Sequence, residues 1–352
     1  MNIAINNRKI GPGHPVYVIA EMSANHDQSL DKAVRIIEAA KAAGADAVNL
    51  QTYTADTMTI DCDKEYFRIK GTVWEGQNLY QLYQKACTPW DWHPKLKEVC
   101  EKLGLDFFST PFDISAVDLL EQLGVPAYKV ASFELVDIPL LRRIAHTGKP
   151  VIMSTGMATK EEIDEAMDAI RSAGNDHIAL LKCTSAYPAP YDELNLKTIT
   201  YFAKTYGVPI GLSDHTLGSV AAVASVALGG CIVEKHFTIS RRDPGPDSTF
   251  SSEPAEFKAM VDDIRAAEKA LGEVTYKITE KQKENRVFRR SLFVVKDMKA
   301  GEVFSNENIR SIRPGHGLHT RYLEQVLGQR AAADIARGTP LSRDLIKGGV
   351  RQ

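Results

Sequence analysis

Short apolar runs alternate with amphipathic segments eight times along this chain, and polar residues follow each apolar run. The runs are almost continuously hydrophobic, which is typical of parallel strands that are buried on both faces. The segments between them carry apolar residues at helical spacing, as Val34, Ile37 and Ala40 do after the first run. This alternation predicts an α/β fold, a (β/α)8 barrel of the TIM type, whose strands gather polar side chains at their C-terminal ends.

Glycine follows five of the predicted helices, where a left-handed C-cap favours it. These glycines are Gly44, Gly104, Gly124, Gly174 and Gly207. The strands are predicted at 16–20, 47–50, 106–109, 127–130, 151–153, 178–181, 209–212 and 231–233. The helices are predicted at 30–43, 91–103, 115–123, 139–146, 160–173, 196–206, 218–228 and 254–271.

One connection, residues 52–91, is far longer than a barrel loop needs to be. It is rich in aromatic residues, whereas a disordered linker would contain few. Long barrel loops are usually lids or binding loops, so we predict an ordered cover over the barrel mouth. The aromatic residues could also serve only to fix the loop to the barrel. They are Tyr53, Tyr66, Phe67, Trp74, Tyr80 and Tyr83.

The strand and helix alternation stops near Thr275. A strongly charged stretch follows, and then a Pro- and Gly-rich segment with short apolar runs. We predict a barrel domain at 1–272, a linker at 273–289 and a small β-rich domain at 290–352. So short a domain holds little core of its own, and we expect it to pack on its own barrel or on a partner subunit.

Composition narrows the classes of function. The formal net charge is −2 and the basic residues are spread along the chain, so we expect no nucleic-acid partner. The first nine residues are polar, and no stretch approaches the roughly 18 apolar residues of a membrane span, so we expect neither a signal peptide nor a membrane partner. Five cysteines without a C-x-x-C pair fit a reducing compartment, and we expect a cytoplasmic protein.

Two histidines stand at the ends of the last two predicted strands, His215 in the sequence SDHT and His236 in the sequence EKHF. Adjacent barrel strands bring such residues together at the mouth. Neutral imidazole is a common ligand of manganese and other transition metals. The pair therefore predicts a site for one divalent cation, with positions left open for water and substrate. Two hydrogen-bonded core histidines are the structural alternative.

The other strand ends supply carboxylates, hydroxyls and a lysine. Hydroxyls hold phosphate oxygens and lysine supplies charge, so the set suits a phosphorylated anion, with the acids left for a polyhydroxylated substrate or for proton transfer. Each hydroxyl could instead cap a helix, as in STGMATKEE, and the loop that carries Asp247 could be a plain turn. The candidates are Glu21, Gln51, Thr110, Lys129, Ser132, Glu134, Ser154, Ser185, Ser213 and Asp247.

These residues lie in motifs that resemble the sialic acid synthase family. The motifs include VIAEMSANHDQSL, ADAVNLQTYT, KVASFE, STGMA, CTSAYPAPYDELNL, GLSDHT, EKHFTISRRDPGPDSTFS and RRSLFVVKDMKAGEVFS. They cover essentially the whole chain in order, and EMSANH and TVWEGQNLYQLY resemble the pseudaminic acid synthase branch. The resemblance implies a TIM barrel followed by a C-terminal antifreeze-like (SAF) domain, in a domain-swapped homodimer whose SAF domain covers the partner's site.

The resemblance also implies a transferase reaction. Phosphoenolpyruvate, an N-acylated amino sugar and water would give a nine-carbon 2-keto acid and phosphate. For the pseudaminic branch the sugar is 2,4-diacetamido-2,4,6-trideoxy-L-altrose. N-acetylneuraminate or legionaminate synthesis, from N-acetylmannosamine or a related sugar, is the alternative.

Roles follow residue by residue from the same resemblance. His215 and His236 would hold Mn2+ or Mg2+ against the sugar aldehyde, and Glu21 would be the catalytic acid. Thr110, Lys129, Ser132, Ser154, Ser185 and Ser213 would contact phosphoenolpyruvate. Glu134 and Asp247 would contact the sugar, with Asn25 and Gln51 as further substrate contacts. Arg313 would reach the N-acyl group of the partner's sugar.

The chain departs from the family pattern in two places. Many relatives have lysine where this chain has Asn49, and many in the neuraminate branch have asparagine where Ser185 stands. Losing a cation beside an anion costs about 1–3 kcal/mol, so weaker phosphoenolpyruvate binding is expected unless Lys70 or Arg68 compensates. A catalytically inactive sugar-binding protein and a keto-deoxy sugar phosphate synthase remain as alternative classes.

Overall fold

A computed structural model describes residues 2–71 and 75–350. The chain divides into two compact units, residues 1–272 and 273–352. The first unit begins with an antiparallel hairpin of β1 (Ile3–Ile5) and β2 (Arg8–Ile10), which the apolar pattern did not predict. No helix in the described ranges combines the length and the apolarity that crossing a lipid bilayer requires.

Eight parallel strands close into a barrel in chain order, and the last strand pairs with the first. This confirms the predicted (β/α)8 fold. The strands are β3 (Tyr17–Glu21), β4 (Ala47–Thr52), β5 (Asp106–Pro111), β6 (Tyr128–Val130), β7 (Val151–Ser154), β8 (Ile178–Cys183), β9 (Ile210–Asp214) and β10 (Ile232–His236).

Most strands run one to three residues beyond their predicted C-terminal ends. The strand predicted at 231–233 continues through His236, which pairs with Glu21 of β3. The prediction stopped too early because an apolar run ends where polar side chains begin, although backbone pairing continues. The polar strand ends are therefore held in the sheet itself rather than on loops.

Helices surround the barrel close to the predicted positions. Three of them end at a glycine in the left-handed conformation, Gly104, Gly124 and Gly207, as predicted. Residues 52–91 add two helices that the pattern did not predict. The helices of the first unit are α1 (Leu30–Ala42), α2 (Ala55–Met58), α3 (Leu79–Ala86), α4 (His93–Leu103), α5 (Ile114–Leu123), α6 (Ile138–Ala145), α7 (Lys160–Ser172), α8 (Lys197–Tyr206), α9 (Val220–Ala227) and α10 (Pro254–Leu271).

The second unit contains two small antiparallel pairs around its own apolar cluster, which includes Leu292, Phe304 and Val326. Residues 273–289 belong to this unit and contain a helix with no buried residue, α11. Its elements are α11 (Glu280–Asn285), β11 (Ser291–Val294), β12 (Ile309–Ile312), α12 (Leu323–Val326), β13 (Arg330–Ala331) and β14 (Ile346–Lys347).

The N-terminal hairpin closes the bottom of the barrel. Ile3, Ile5 and Ile10 join one buried cluster with Tyr17 and Ile232, which are the first residues of their strands. A second, larger cluster lies between the strands and the surrounding helices. The hairpin is thus part of the barrel core, and the polar strand ends lie at the opposite end.

We predict that Ile5→Ala destabilises the barrel by about 2–5 kcal/mol, because it leaves a cavity in a fully buried position. Urea denaturation followed by tryptophan fluorescence measures the change in unfolding free energy. Val220→Ala, at a helix residue that is 65% exposed, is the matched control and should stay within about 0.5 kcal/mol of the parent. Equal effects of the two substitutions would show that the hairpin contributes nothing to the core.

Candidate active site

A cavity of 530 Å³ lies at the C-terminal ends of the barrel strands, and all the residues that line it belong to the first unit. It collects eleven residues that the sequence predicted for the site. These are Glu21, Gln51, Thr110, Lys129, Ser132, Glu134, Ser154, Ser213, His215, His236 and Asp247. Residues brought together from seven strands and their loops form the site that the barrel topology predicts.

His215 and His236 are neighbours in the cavity wall, with ring centroids 5.3 Å apart in an edge-to-face arrangement. The Nδ1 atom of His215 lies 2.9 Å from the Thr184 carbonyl oxygen, so it carries the proton and donates, which leaves Nε2 free as an electron-pair donor. Burial and the neighbouring His215 lower the pKa of His236 well below its usual value. Buried Nδ1 of His236 has no hydrogen-bond partner among the residues that the structure describes.

These contacts fit a metal ligand better than a packed core pair. A buried core histidine normally satisfies both ring nitrogens, and His236 does not. The described residues contain no cluster of three or more His, Cys, Asp or Glu side chains placed to hold a metal ion. A cation held by these two imidazoles would have positions open for water or substrate, which suits a catalytic site rather than a structural one.

Two buried carboxylates, Glu21 and Glu234, lie on neighbouring strands beside Lys129. The Lys129 Nζ atom is 3.2 Å from Glu234 Oε1 and 2.8 Å from Ser154 Oγ. Glu21 accepts a hydrogen bond from the Ser23 backbone N–H at 2.9 Å and another from the Asn49 amide. Burial, together with the charge of Glu234, raises the pKa of Glu21 well above its ordinary value. The environment thus favours a protonated acid at this position.

Hydroxyl groups and a backbone N–H meet around the ends of β6 and β7. The Gly156 N–H donates to Ser132 Oγ at 3.0 Å. A Cβ atom at Gly156 would lie 2.1 Å from Ser185 Oγ and 2.7 Å from Ser132 Oγ, so any side chain here would displace both hydroxyl groups. Ser154 itself lies in β7, and the N-cap of α7 is Thr159. The alternative that Ser154 is merely a helix cap is therefore wrong.

Opposite this hydroxyl group cluster, Asp247 and Gln51 are linked through Ser23. The Ser23 hydroxyl donates to Asp247 Oδ2 at 2.6 Å, and Gln51 Nε2 donates to Ser23 Oγ at 3.0 Å. Burial raises the pKa of Asp247. Asp247 is thus tied to the β3 end, so the 241–251 loop is more than a plain turn.

Glu134 is a second carboxyl group with few partners. Burial raises its pKa to about 7, and Oε2 has no hydrogen-bond partner among the described residues. A buried oxygen without a partner is costly unless a ligand satisfies it. Glu134 is therefore well placed to accept a hydrogen bond from a hydroxyl or amide group of a substrate.

Three predicted site residues do not line this cavity. Asn25 is fully buried and donates to Phe237 O at 3.0 Å and to Ser251 Oγ at 2.9 Å, so it holds the 241–251 loop against the barrel. Ser185 lies beside Gly156 behind the hydroxyl group cluster. Arg313 directly follows β12 in the second unit.

Sequence reasoning missed several lining residues. Glu234 could have been found, because side chains alternate along a strand and Glu234 therefore shares the inner face with His236. The same rule turns Lys235 outward, where it forms a buried ion pair of 2.7 Å with Asp214. Six further lining residues were missed because they lie in loops, where no periodic pattern indicates which side chains face the cavity. They are Ser23, Phe112, Phe133, Tyr187, Pro246 and Phe250.

The long 52–91 loop forms one wall of the cavity, as predicted. Met58, Ile69, Leu79, Leu82 and Tyr83 line it. Tyr66 is 90% exposed and takes no part in that wall, and Trp74 lies outside the described residues. The wall is largely apolar, which suits a substrate with an apolar edge.

Two buried histidines fasten both ends of this loop. Nδ1 of His93 donates to the Pro89 carbonyl, so its Nε2 accepts from the Thr52 hydroxyl at 2.8 Å. Nδ1 of His26 accepts from the Gln28 N–H at 3.2 Å, so its Nε2 donates to Thr88 Oγ1. Each ring is neutral and uses one nitrogen as an acceptor. Protonation of either ring would remove that acceptor.

We predict that the loop attachment weakens in acid. Burial lowers the pKa of His26 and of His93 to about 4, while an unfolded histidine titrates near pH 6.5. Stability from each group is present above about pH 6.5 and is lost as the pH falls through 4, by up to about 3 kcal/mol per histidine. Urea denaturation at pH 7.5, 6, 5 and 4 measures the loss.

His93→Gln should remove about half of this pH dependence, because the amide does not titrate. His316→Gln, at an exposed histidine of the second unit, is the matched control and should leave the slope unchanged. A His93→Gln protein with the same slope as its parent would contradict the assignment.

Comparison with known proteins places this barrel in a defined class. The NeuB family model matches residues 36–276 and the SAF domain model matches residues 289–347. The chain belongs to the NeuB family, the sialic acid synthases, and carries a C-terminal SAF domain. Both parts of the resemblance inferred from the sequence are thereby confirmed.

Individual relatives narrow the comparison further. The chain is 46% identical to the pseudaminic acid synthase of Campylobacter jejuni over 93% of this chain and 95% of the relative. It is 45% identical to the pseudaminic acid synthase of Helicobacter pylori, over 95% of this chain and 98% of the relative. Identity to the N,N'-diacetyllegionaminic acid synthase of Campylobacter jejuni is 38% over 89% and 95%. The crystal structure of the Bacillus subtilis spore coat polysaccharide biosynthesis protein SpsE matches with a TM-score of 0.68 and 36% identity, covering 99% of both chains.

Proposed function

We propose that the protein is a pseudaminic acid synthase. It condenses phosphoenolpyruvate with 2,4-diacetamido-2,4,6-trideoxy-L-altrose and water, giving pseudaminate and phosphate. The observation that carries this proposal is 45–46% identity to pseudaminic acid synthases over nearly the whole chain, against 38% to a legionaminic acid synthase. The cavity supports it, because it combines an anion-binding group, acids and two imidazoles.

A second candidate keeps the reaction and changes the sugar. Legionaminate or N-acetylneuraminate synthesis would use the same chemistry, and the 38% identity to a legionaminic acid synthase favours it over unrelated reactions. The apolar wall formed by Ile69, Leu79 and Leu82 favours a 6-deoxy sugar, which presents a methyl group, over N-acetylmannosamine, which presents a hydroxyl.

We place phosphoenolpyruvate, within this proposed function, at the C-terminal ends of strands β5 to β9. Lys129 supplies positive charge. Hydrogen bonds to the oxygen atoms of phosphoenolpyruvate come from the backbone beside Gly156 and from four hydroxyl groups, those of Thr110, Ser132, Ser154 and Ser213. Ser185 supports this group from behind Gly156. The anion is thus held with its C3 carbon free to face the sugar.

We propose that His215 and His236 hold a divalent cation, Mn2+ or Mg2+. When bound, the cation supplies Lewis-acid polarisation of the sugar aldehyde. The unpartnered Nδ1 of His236 and the Thr184 contact that sets the tautomer of His215 support this assignment. Glu134, Gln51 and Asp247 orient the sugar by hydrogen bonds to its hydroxyl and amide groups, with Asn25 holding the loop that carries Asp247.

The reaction forms one carbon–carbon bond and one carbon–oxygen bond to water, and it breaks the carbon–oxygen bond between C2 and phosphate. C3 of phosphoenolpyruvate attacks the aldehyde carbon, and the aldehyde oxygen takes a proton from Glu21, whose pKa burial raises. Water adds at C2 and loses a proton to the carboxylate pair of Glu21 and Glu234. The resulting tetrahedral centre expels phosphate, which takes the proton of the C2 hydroxyl, and C2 becomes the keto group of the product.

We also propose a domain-swapped homodimer that acts in the cytoplasm. The barrel, 1–272, is the catalytic domain, the linker is 273–289, and the SAF domain, 290–352, brings Arg313 to the partner's sugar. Exposed apolar side chains support such a cover: Phe133, Met157 and Leu217 follow barrel strands at the cavity end, and Tyr276 is 96% exposed in the second unit. The five cysteines are free thiols, which suits a reducing compartment.

We predict phosphate release only when phosphoenolpyruvate, the diacetamido altrose and a divalent cation are all present. A colorimetric phosphate assay with a panel of N-acylated sugars, after chelation and with Mn2+ or Mg2+ restored, measures it. Release with N-acetylmannosamine or the legionaminate precursor instead would establish the second candidate. No release with any sugar would point to a protein that binds sugar without turning it over.

We predict that two inactive variants restore each other. His236→Ala and Arg313→Ala should each abolish turnover, by several orders of magnitude for the histidine. After co-refolding or co-expression, a mixed swapped dimer contains one barrel with His236 that faces an SAF domain with Arg313, so about a quarter of the parent activity should return. If each chain covers its own barrel, mixing would restore nothing.

A further inference from the structure

Asn49 lies beneath the catalytic acids without lining the cavity. It is 1% exposed in β4, and Glu21 pairs with it in the barrel register. Its amide nitrogen contacts Glu21 Oε2 and lies 3.4 Å from Glu234 Oε2 and 3.2 Å from Thr110 Oγ1. Asn49 is absent from the residues that line the 530 Å³ cavity. Any effect on the reaction therefore passes through these neighbours.

The two carboxylates depend on Asn49 to different degrees. Glu234 has a cationic partner, because its other oxygen faces Lys129 Nζ at 3.2 Å. Glu21 has no ion-pair partner among the described side chains. Its Oε1 accepts from the Ser23 backbone, and its Oε2 accepts from Asn49. The Asn49 amide is thus the side-chain donor that fixes the second oxygen of Glu21.

The Asn49 amide is itself oriented. Its nitrogen carries two hydrogens, enough for Glu21 and one further acceptor, whereas its carbonyl oxygen can only accept. The Thr110 hydroxyl lies 3.4 Å from that carbonyl oxygen and donates to it. That hydroxyl also lies 3.2 Å from the amide nitrogen and serves either end of the amide, so the Glu21 and Glu234 oxygens are the acceptors that keep the nitrogen turned toward the acids.

We infer that Asn49 is a positioning residue that holds the carboxyl groups of Glu21 and Glu234 in the orientation that proton transfer needs. The inference rests on the proposed function for its kinetic consequence, but not for the contacts that carry it. A neutral amide orients the two carboxyl groups without adding charge, so Lys129 stays the buried cation beside Glu21 and Glu234. A residue that merely filled space would need shape but no N–H donor.

Three substitutions separate these roles. Asn49→Leu keeps the size and removes both donors, and Asn49→Asp keeps the shape but places a third carboxylate against the other two. Both should lower kcat by about 10- to 100-fold, the range expected for a catalytic group displaced by about 1 Å. The KM for phosphoenolpyruvate should change less than threefold, roughly, because Asn49 does not line the cavity. Asn49→Lys restores a donor to both acids and should keep kcat within about tenfold of the parent.

Asn175→Leu is the matched control. Asn175 is buried and donates to the Ala145 and Lys149 carbonyls, away from the cavity. Its replacement should lower the thermal midpoint and leave kcat unchanged. If Asn49 only fills space, Asn49→Leu keeps the parent kcat and Asn49→Lys is the worst tolerated. That order of activities would overturn the inference.

A crystal structure of Asn49→Leu gives a readout that does not depend on the substrate. We expect the Glu21 carboxylate to move by about 1 Å or to change rotamer once Oε2 has lost its donor. An unmoved Glu21 would overturn the inference even if the parent protein turned over none of the sugars. A parent that releases no phosphate, with Glu21 displaced in the variant, would reject the proposed function and leave the positioning role supported.

Discussion

The pairing of β10 with β3 closes the barrel, and the chemistry of the protein depends on that closure. The register sets His236 beside Glu21, although more than two hundred positions separate them in the chain. Without it, Glu21 would lie at one edge of an open sheet, and His215, Glu234 and His236 would lie at the other. The backbone hydrogen bonds between β10 and β3 therefore fix the distance between Glu21 and the groups on β10.

Alternation along the last two strands then sorts charge between the inside and the outside. Ser213, His215, Glu234 and His236 face the cavity, and Asp214 and Lys235 form an ion pair behind them. A buried pair of this kind costs desolvation energy, which its short contact and the Lys235 bond to the Thr216 carbonyl offset. The two outer charges oppose each other, and Lys129 and the inner acids are the Lys and carboxyl groups that line the cavity itself.

The sequence was a good guide to the barrel, because buried parallel strands and glycine-capped helices leave strong local signals. It was a poorer guide where a signal depends on distant residues. The β1–β2 hairpin is too short to show a period, and its burial is decided by the barrel bottom that it closes. Strand ends were placed too early because polarity changes before pairing stops.

The candidate site followed the same division. Residues at strand ends, such as His215 and Thr110, were identified from their position in the pattern. Asn25 was predicted as a substrate contact from its motif, and a motif does not specify which atoms a side chain contacts. In the structure its amide donates to Phe237 O and Ser251 Oγ and so supports a loop. Tyr187 and Phe250 came from loops whose path no periodicity describes.

The closed bottom of the barrel has a consequence for the entry of substrates and the release of products. With Ile3, Ile5 and Ile10 filling the far end, the residues that the structure describes close the barrel there, and the cavity lies at the strand ends. Two reactants and a water molecule therefore enter, and two anionic products leave, on the strand-end side of the barrel. Whatever lies deepest is then trapped until its neighbour departs, so the order of arrival and departure is imposed by shape as well as by affinity.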